Sequence, residues 1–142
     1  MKKILSLTLA VFLIAACLLT LASCGAASEV VGTYEMSSIA GAVTYAGQTV
    51  TIDEDYFDYY RITFEKDGTY KGESKVADFS AKIEQEGTWE YDEETGKLTV
   101  KSTEDGITVI EEMTWKDGVI TYNAELFEGG VKLKMRLKLE KQ

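Results

Sequence analysis

Glu111 holds the most pointed chemical position in this chain of 142 residues. It shares strand parity with Ile107, Val109, Met113 and Trp115, while Thr108, Ile110, Glu112 and Thr114 read as the more polar face. A carboxylate on an apolar face is costly unless hydrogen-bonded or paired. Such a group can recognise a ligand amine or hydroxyl. The plainer account is a β-bulge or strand end that lets it reach water. Aromatic side chains accompany it: Tyr34, Tyr60, Phe64, Tyr70, Trp89, Tyr91, Trp115 and Tyr122 fall mostly on predicted inward faces. They either line a cavity or fill a narrow interior. The candidate ligand pocket is Tyr34, Phe64, Tyr70, Trp89, Glu111, Trp115 and Tyr122.

Other chemistries are excluded by residue type and spacing. The chain has no His, which removes most triad and zinc chemistry because those rest on imidazole. Glu111 and Glu112 are adjacent, so on a strand they face opposite ways. Asp92, Glu93 and Glu94 fall in a turn, and no nucleophile elbow or phosphate loop occurs. Asp53, Glu54, Asp55 and Asp58 invite a calcium reading, but an EF-type loop needs Gly at its sixth position and Glu at its twelfth. Counted from Asp53, those places hold Asp58 and Phe64, so the cluster reads as a solvated acidic helix end. The expectation is a non-enzymatic protein without metal or cofactor. A net charge of -9 excludes a nucleic-acid binder driven by phosphate attraction. A hydrophobic content of 45% excludes a disordered chain.

Two-residue alternation names the elements that must position these side chains. Val131, Leu133, Met135, Leu137 and Leu139 alternate with Lys132, Lys134, Arg136, Lys138 and Glu140. Strands are predicted near 31–39, 59–66, 69–76, 79–91, 96–103, 106–116, 118–127 and 130–140. Asp67-Gly68, Asp105-Gly106 and Asp117-Gly118 supply hairpin turns, because Gly and Asp tolerate positive φ. Thr51 and Glu54 fit a capping box, which predicts one short helix near 52–58. Residues 43–50 before it read as a loose hairpin around Ala46-Gly47. The class is all-β: an antiparallel up-and-down meander of about eight strands. Open strand edges invite aggregation, so closure or near-closure into a barrel is expected. A half-open barrel or a two-sheet sandwich is the second choice.

The chain opens with Met1-Lys2-Lys3, an uncharged apolar run over 4–21, and Leu21-Ala22-Ser23-Cys24. A basic start, an apolar stretch and small residues before a cut make a secretory signal. The last four residues resemble the bacterial lipobox that ends a type II signal peptide. The resemblance implies removal of 1–23, a diacylglycerol thioether on Cys24 and acylation of the new amino terminus. Residues 24–29 then form a lipidated tether and 30–142 the folded domain. Cys17 leaves with the signal, so the domain has no disulfide. Loss of Lys2 and Lys3 takes the net charge from -9 to -11. The expected location is the outer face of the cytoplasmic membrane, or the outer membrane where a cell has two.

Gly32-Thr33-Tyr34 on the first strand, the short helix and the Asp-Gly-turned meander resemble small bacterial lipocalin-like domains. In that family the first strand carries Gly-x-Trp, whose ring plugs the barrel base; Tyr34 takes the Trp place. A second copy of the motif, Gly87-Thr88-Trp89, sits mid-barrel. The family also places a basic residue of the last strand near that ring. Arg136 is the Arg of that strand, although alternation points it with Lys134, away from the Leu face. The resemblance implies a monomeric, lipid-anchored binding protein for a small apolar or amphipathic ligand. The rival expectation is an envelope scaffold or inhibitor module with a filled core.

Overall fold

The computed structural model describes residues 27–142. The expected signal peptide and Cys24 lie outside the described residues. One helical turn, α1 (Ala27–Val30), leads into nine strands: β1 (Gly32–Tyr45), β2 (Gln48–Ile52), β3 (Phe57–Phe64), β4 (Thr69–Val76), β5 (Lys82–Asp92), β6 (Lys97–Glu104), β7 (Ile107–Lys116), β8 (Val119–Glu128) and β9 (Val131–Lys141).

The meander closes. β9 pairs antiparallel with β1 from Tyr34–Lys141 to Tyr45–Val131. Each strand from β3 to β9 also pairs with its sequence neighbour, so β1 and β3–β9 make an eight-stranded antiparallel barrel. The remaining strand, β2, folds back on β1 over Gly41–Ile52 to Tyr45–Gln48. β3 takes the other half of β1, from Gly32–Phe64 to Glu35–Arg61. One place in the wall is thus filled by two short strands in succession. The hairpin turn between β1 and β2 is tight rather than loose: Ala46 and Gly47 both have positive φ, 50° and 78°, as a two-residue primed turn requires.

Between β2 and β3 lies a single 3-10 turn, Glu54–Tyr56, capped by Asp53, whose carboxylate accepts from the Asp55 amide at 3.1 Å. The capping box on Thr51 does not form, because Thr51 is committed to the ladder opposite Ala42.

Alternation sets the core, with local reversals at bulges on β1 and β3. Register slips between Met36 and Ser38, and this bulge turns Ile39 inward although it has the opposite parity to Tyr34. Both are buried, as are Ile62, Phe64, Leu98, Val100, Ile120, Leu137 and Leu139. Burying each such Leu or Ile stabilises by about 1.5–3 kcal/mol. β5 approaches β6 so closely that a Cβ on Gly87 would meet the Lys101 carbonyl oxygen at 2.0 Å.

The wall is uneven. β7 and β8 pair only over Thr114–Lys116 and Val119–Thr121. Beyond that hairpin, the facing edges of 107–113 and 122–128 form no ladder, while their other flanks pair with β6 and β9. The barrel is closed at the end holding α1 and forked at the other.

Candidate functional site

The closed end is a plug of aromatic rings. Tyr34 is fully buried and packs edge-on to Phe64, with centroids 5.7 Å apart. Phe64 meets Trp89 edge-on at 5.4 Å and tilts against Tyr70. Trp115 Nε1 donates to Tyr34 Oη at 2.8 Å, and Tyr34 Oη donates to the Val30 carbonyl at 2.8 Å. Burial pushes the Tyr34 phenol up, tempered by the Trp115 bond. Trp89 Nε1 donates to the Glu65 carbonyl. Four members of the expected pocket, Tyr34, Phe64, Trp89 and Trp115, therefore pack together as the base. The basic side chain of β9 found at this end of the barrel is that of Lys141, not Arg136. Lys141 stands opposite Tyr34 in register and donates to the Glu29 carbonyl at 2.8 Å. Arg136 is exposed on the outer wall.

A polar layer lies above the plug. Tyr122 Oη donates to Glu111 Oε1 at 2.9 Å, bridging β7 and β8 just where their ladder has ended. Glu111 is half-buried. Burial, and then the Glu111 charge, push the Tyr60 phenol up to about 12. The same two causes, with the hydrogen bond added, push Tyr122 up as well. Burial raises Tyr70, the Ser102 hydroxyl offsets this in part, and Glu111 adds to it. Tyr70 is 1% exposed, yet its hydroxyl finds no hydrogen-bond partner. Ser102 lies nearby, and its hydroxyl accepts from Gln85 Nε2 at 3.0 Å. Glu111, Tyr122 and Tyr70 of the expected pocket thus share one interior layer with Tyr60.

At the forked end, inward positions become wet. Ile83, Ile107, Val109 and Leu126 have inward parity but are 55%, 68%, 45% and 48% exposed. The grooves of the outer wall are of another kind: open and lined by charged side chains such as Lys71, Glu73, Glu84 and Glu86. Among the described residues no helix is long and apolar enough to cross a membrane. Nor do three or more His, Cys, Asp or Glu side chains gather there as metal ligands.

Gln85, Ser74 and Ser102 are interior polar residues that aromatic type alone does not flag. Their signal is parity: Gln85 shares a face with Gly87 and Trp89, and Ser102 with Leu98 and Val100.

Comparison with curated proteins finds no match, and comparison with solved structures finds none either. A family model described as a lipocalin-like domain matches residues 30–122. The match runs from Val30 at the end of α1 to Tyr122 on β8, and the chain supplies the closing strand beyond it. With well over half its length matched and an eight-stranded barrel closed by β1 and β9, the chain belongs to the lipocalin-like domain family.

Proposed function

We propose that this chain is a binding protein that takes a small apolar or amphipathic molecule into the forked end of its barrel. The observation that carries this reading is the exposure of Ile83, Ile107, Val109 and Leu126, which face inward yet are not sealed by packing. Ligand sites are commonly concave, mostly apolar and marked by a few placed polar groups. Glu111 and Tyr122 stand below those apolar side chains as such groups. The reading is non-enzymatic.

The proposal includes a lipid anchor on Cys24, supported by the Leu21-Ala22-Ser23-Cys24 sequence. More than one acyl chain is needed for firm attachment. Cys24 lies three residues before Ala27, where α1 begins beneath the plug. Three residues of extended chain reach about 10 Å. An anchor there turns the closed base toward the membrane and the forked end away from it. The ligand then arrives from the far side rather than from the bilayer.

A rival reading is a protein-interaction module of the envelope. Phe127 and Ile110 favour it, since they are 78% and 58% exposed beside the fork and point outward by parity.

Native mass spectrometry of the chain purified from its own cells tests the choice. The expected result is a co-purified small molecule that an apolar probe displaces. A chain that carries no such molecule and binds no apolar probe overturns the ligand reading.

A further inference from the structure

We propose that the barrel interior selects a cationic amphiphile, with a protonated amine set against the Glu111 carboxylate and an apolar tail in the forked end. This deepens the binding reading above and rests on it.

The charge balance of the interior carries the argument. Glu111 shares its inward face with the buried Met113 and Trp115. Its hydrogen-bond partner is Tyr122 Oη at 2.9 Å. An ionised carboxylate offers about four acceptor positions, so one phenol leaves most of them open. The ion pairs among the described residues join other groups: Arg61 with Glu35, Lys75 with Asp58, Lys82 with Glu73 and Glu84, and Lys97 with Glu112. Glu112, the next residue along β7, points outward and has its lysine. Glu111 points inward and has a phenol. Its charge has one hydrogen bond and, among the described residues, no opposite charge paired with it.

What surrounds it suits a cation. The phenols of Tyr60, Tyr70 and Tyr122 all feel the Glu111 charge, and a phenol oxygen can accept a hydrogen bond from an ammonium group. The Tyr70 hydroxyl is buried with no partner. A buried polar atom left unpaired is costly, and an ammonium N–H can donate to this oxygen. A fatty acid has the opposite fit. Its carboxylate would meet Glu111 as a like charge, and like-charge contacts discriminate strongly against a partner.

Three probes of one tail length separate head from tail: octylamine, octanoate and octan-1-ol, titrated calorimetrically into the full chain held in amphipol near neutral pH. Octylamine is expected to bind at least about tenfold more tightly than octanoate. Glu111→Gln keeps an oxygen for Tyr122 and removes the charge. It is expected to weaken octylamine about tenfold while changing octan-1-ol by less than about twofold. Glu112→Gln makes the same charge change outside the barrel and should leave the preference intact. Octanoate binding as tightly as octylamine overturns the cation inference and leaves the binding reading standing. So does a Glu111→Gln chain that keeps its affinity for the amine. If none of the three probes binds, the binding reading falls and this inference falls with it.

Discussion

Trp115 and Tyr34 stand 81 positions apart in the chain, and the indole nitrogen of one donates to the phenol oxygen of the other at 2.8 Å. This bond joins β7 to β1 across the base. Because Tyr34 donates its own hydroxyl hydrogen bond to the Val30 carbonyl, it also ties α1 beneath the plug. Two strands distant in sequence, and the helical turn that precedes the first of them, are locked by one hydroxyl.

Removal of that hydroxyl is therefore expected to be costly. Tyr34→Phe strands the Trp115 N–H and the Val30 carbonyl together. A buried group left unsatisfied costs about 1–3 kcal/mol. The urea midpoint should fall accordingly, with the slope of the transition unchanged. An unaltered midpoint would show that water satisfies the base instead.

The closing strand gives a contrast between adjacent residues. Leu137 is 2% exposed and stands opposite Ile39 on one side and Tyr122 on the other. Leu137→Ala should cost about 2–5 kcal/mol. Lys138 faces outward, and Lys138→Ala should shift stability by less than about 0.5 kcal/mol. Urea unfolding of the two variants reads the difference. Coincident midpoints would mean that β9 does not seal a core.

Alkaline pH should loosen the barrel before it harms an ordinary surface. Burial first, and the Glu111 charge second, hold the Tyr60 phenol up to about 12, against 10.0 for a free tyrosine. The folded state therefore grips this proton more tightly than the unfolded chain does. The resulting stability is whole below about pH 10 and drains away as pH rises to about 12. Tyr70 and Tyr122 shift in the same direction. The urea midpoint measured from pH 8 to 12 should decline, and Tyr60→Phe should flatten the decline. An equally steep fall in that variant would assign the effect to other groups.

Cys24→Ala should abolish attachment of fatty acid in cells. Metabolic labelling with an alkyne fatty acid gives a direct readout. Equal labelling of variant and parent would remove the anchor from the proposal.

The strands were legible because their physics is local. On β9, Leu and Lys alternate so regularly that face and register follow from period two alone. Asp105-Gly106 and Asp117-Gly118 turn with positive φ at both residues, as their types predict. Ala46 hides its turn, because Ala rarely adopts the positive φ it has here. Thr51 misleads for a different reason. Its spacing to Glu54 is that of a cap, but cross-strand pairing outcompetes a cap too short to nucleate much helix. The fork between β7 and β8 has no sequence mark, since both strands alternate through it without a break. The inward parity of Glu111 was readable on one strand. Its meeting with Tyr122 was not, for that depends on how two strands diverge after their ladder ends. Grouping Tyr34, Phe64, Trp89 and Trp115 with Tyr70, Glu111 and Tyr122 followed from the shared inward face. Height along the barrel, which separates plug from polar layer, is set by strand tilt and is not written in parity.

The double pairing of β1 has a mechanical consequence. Any pull delivered through the residues before Ala27 enters the body at the base and runs along β1. That strand is flanked by β9 over nearly its full length, and by β3 and then β2 on the other side. Force along its axis loads these hydrogen bonds side by side, in shear, so they share the load instead of opening one at a time like a zipper. The barrel should hold under tension and then yield in a single abrupt event, a useful property for a domain tugged by one end.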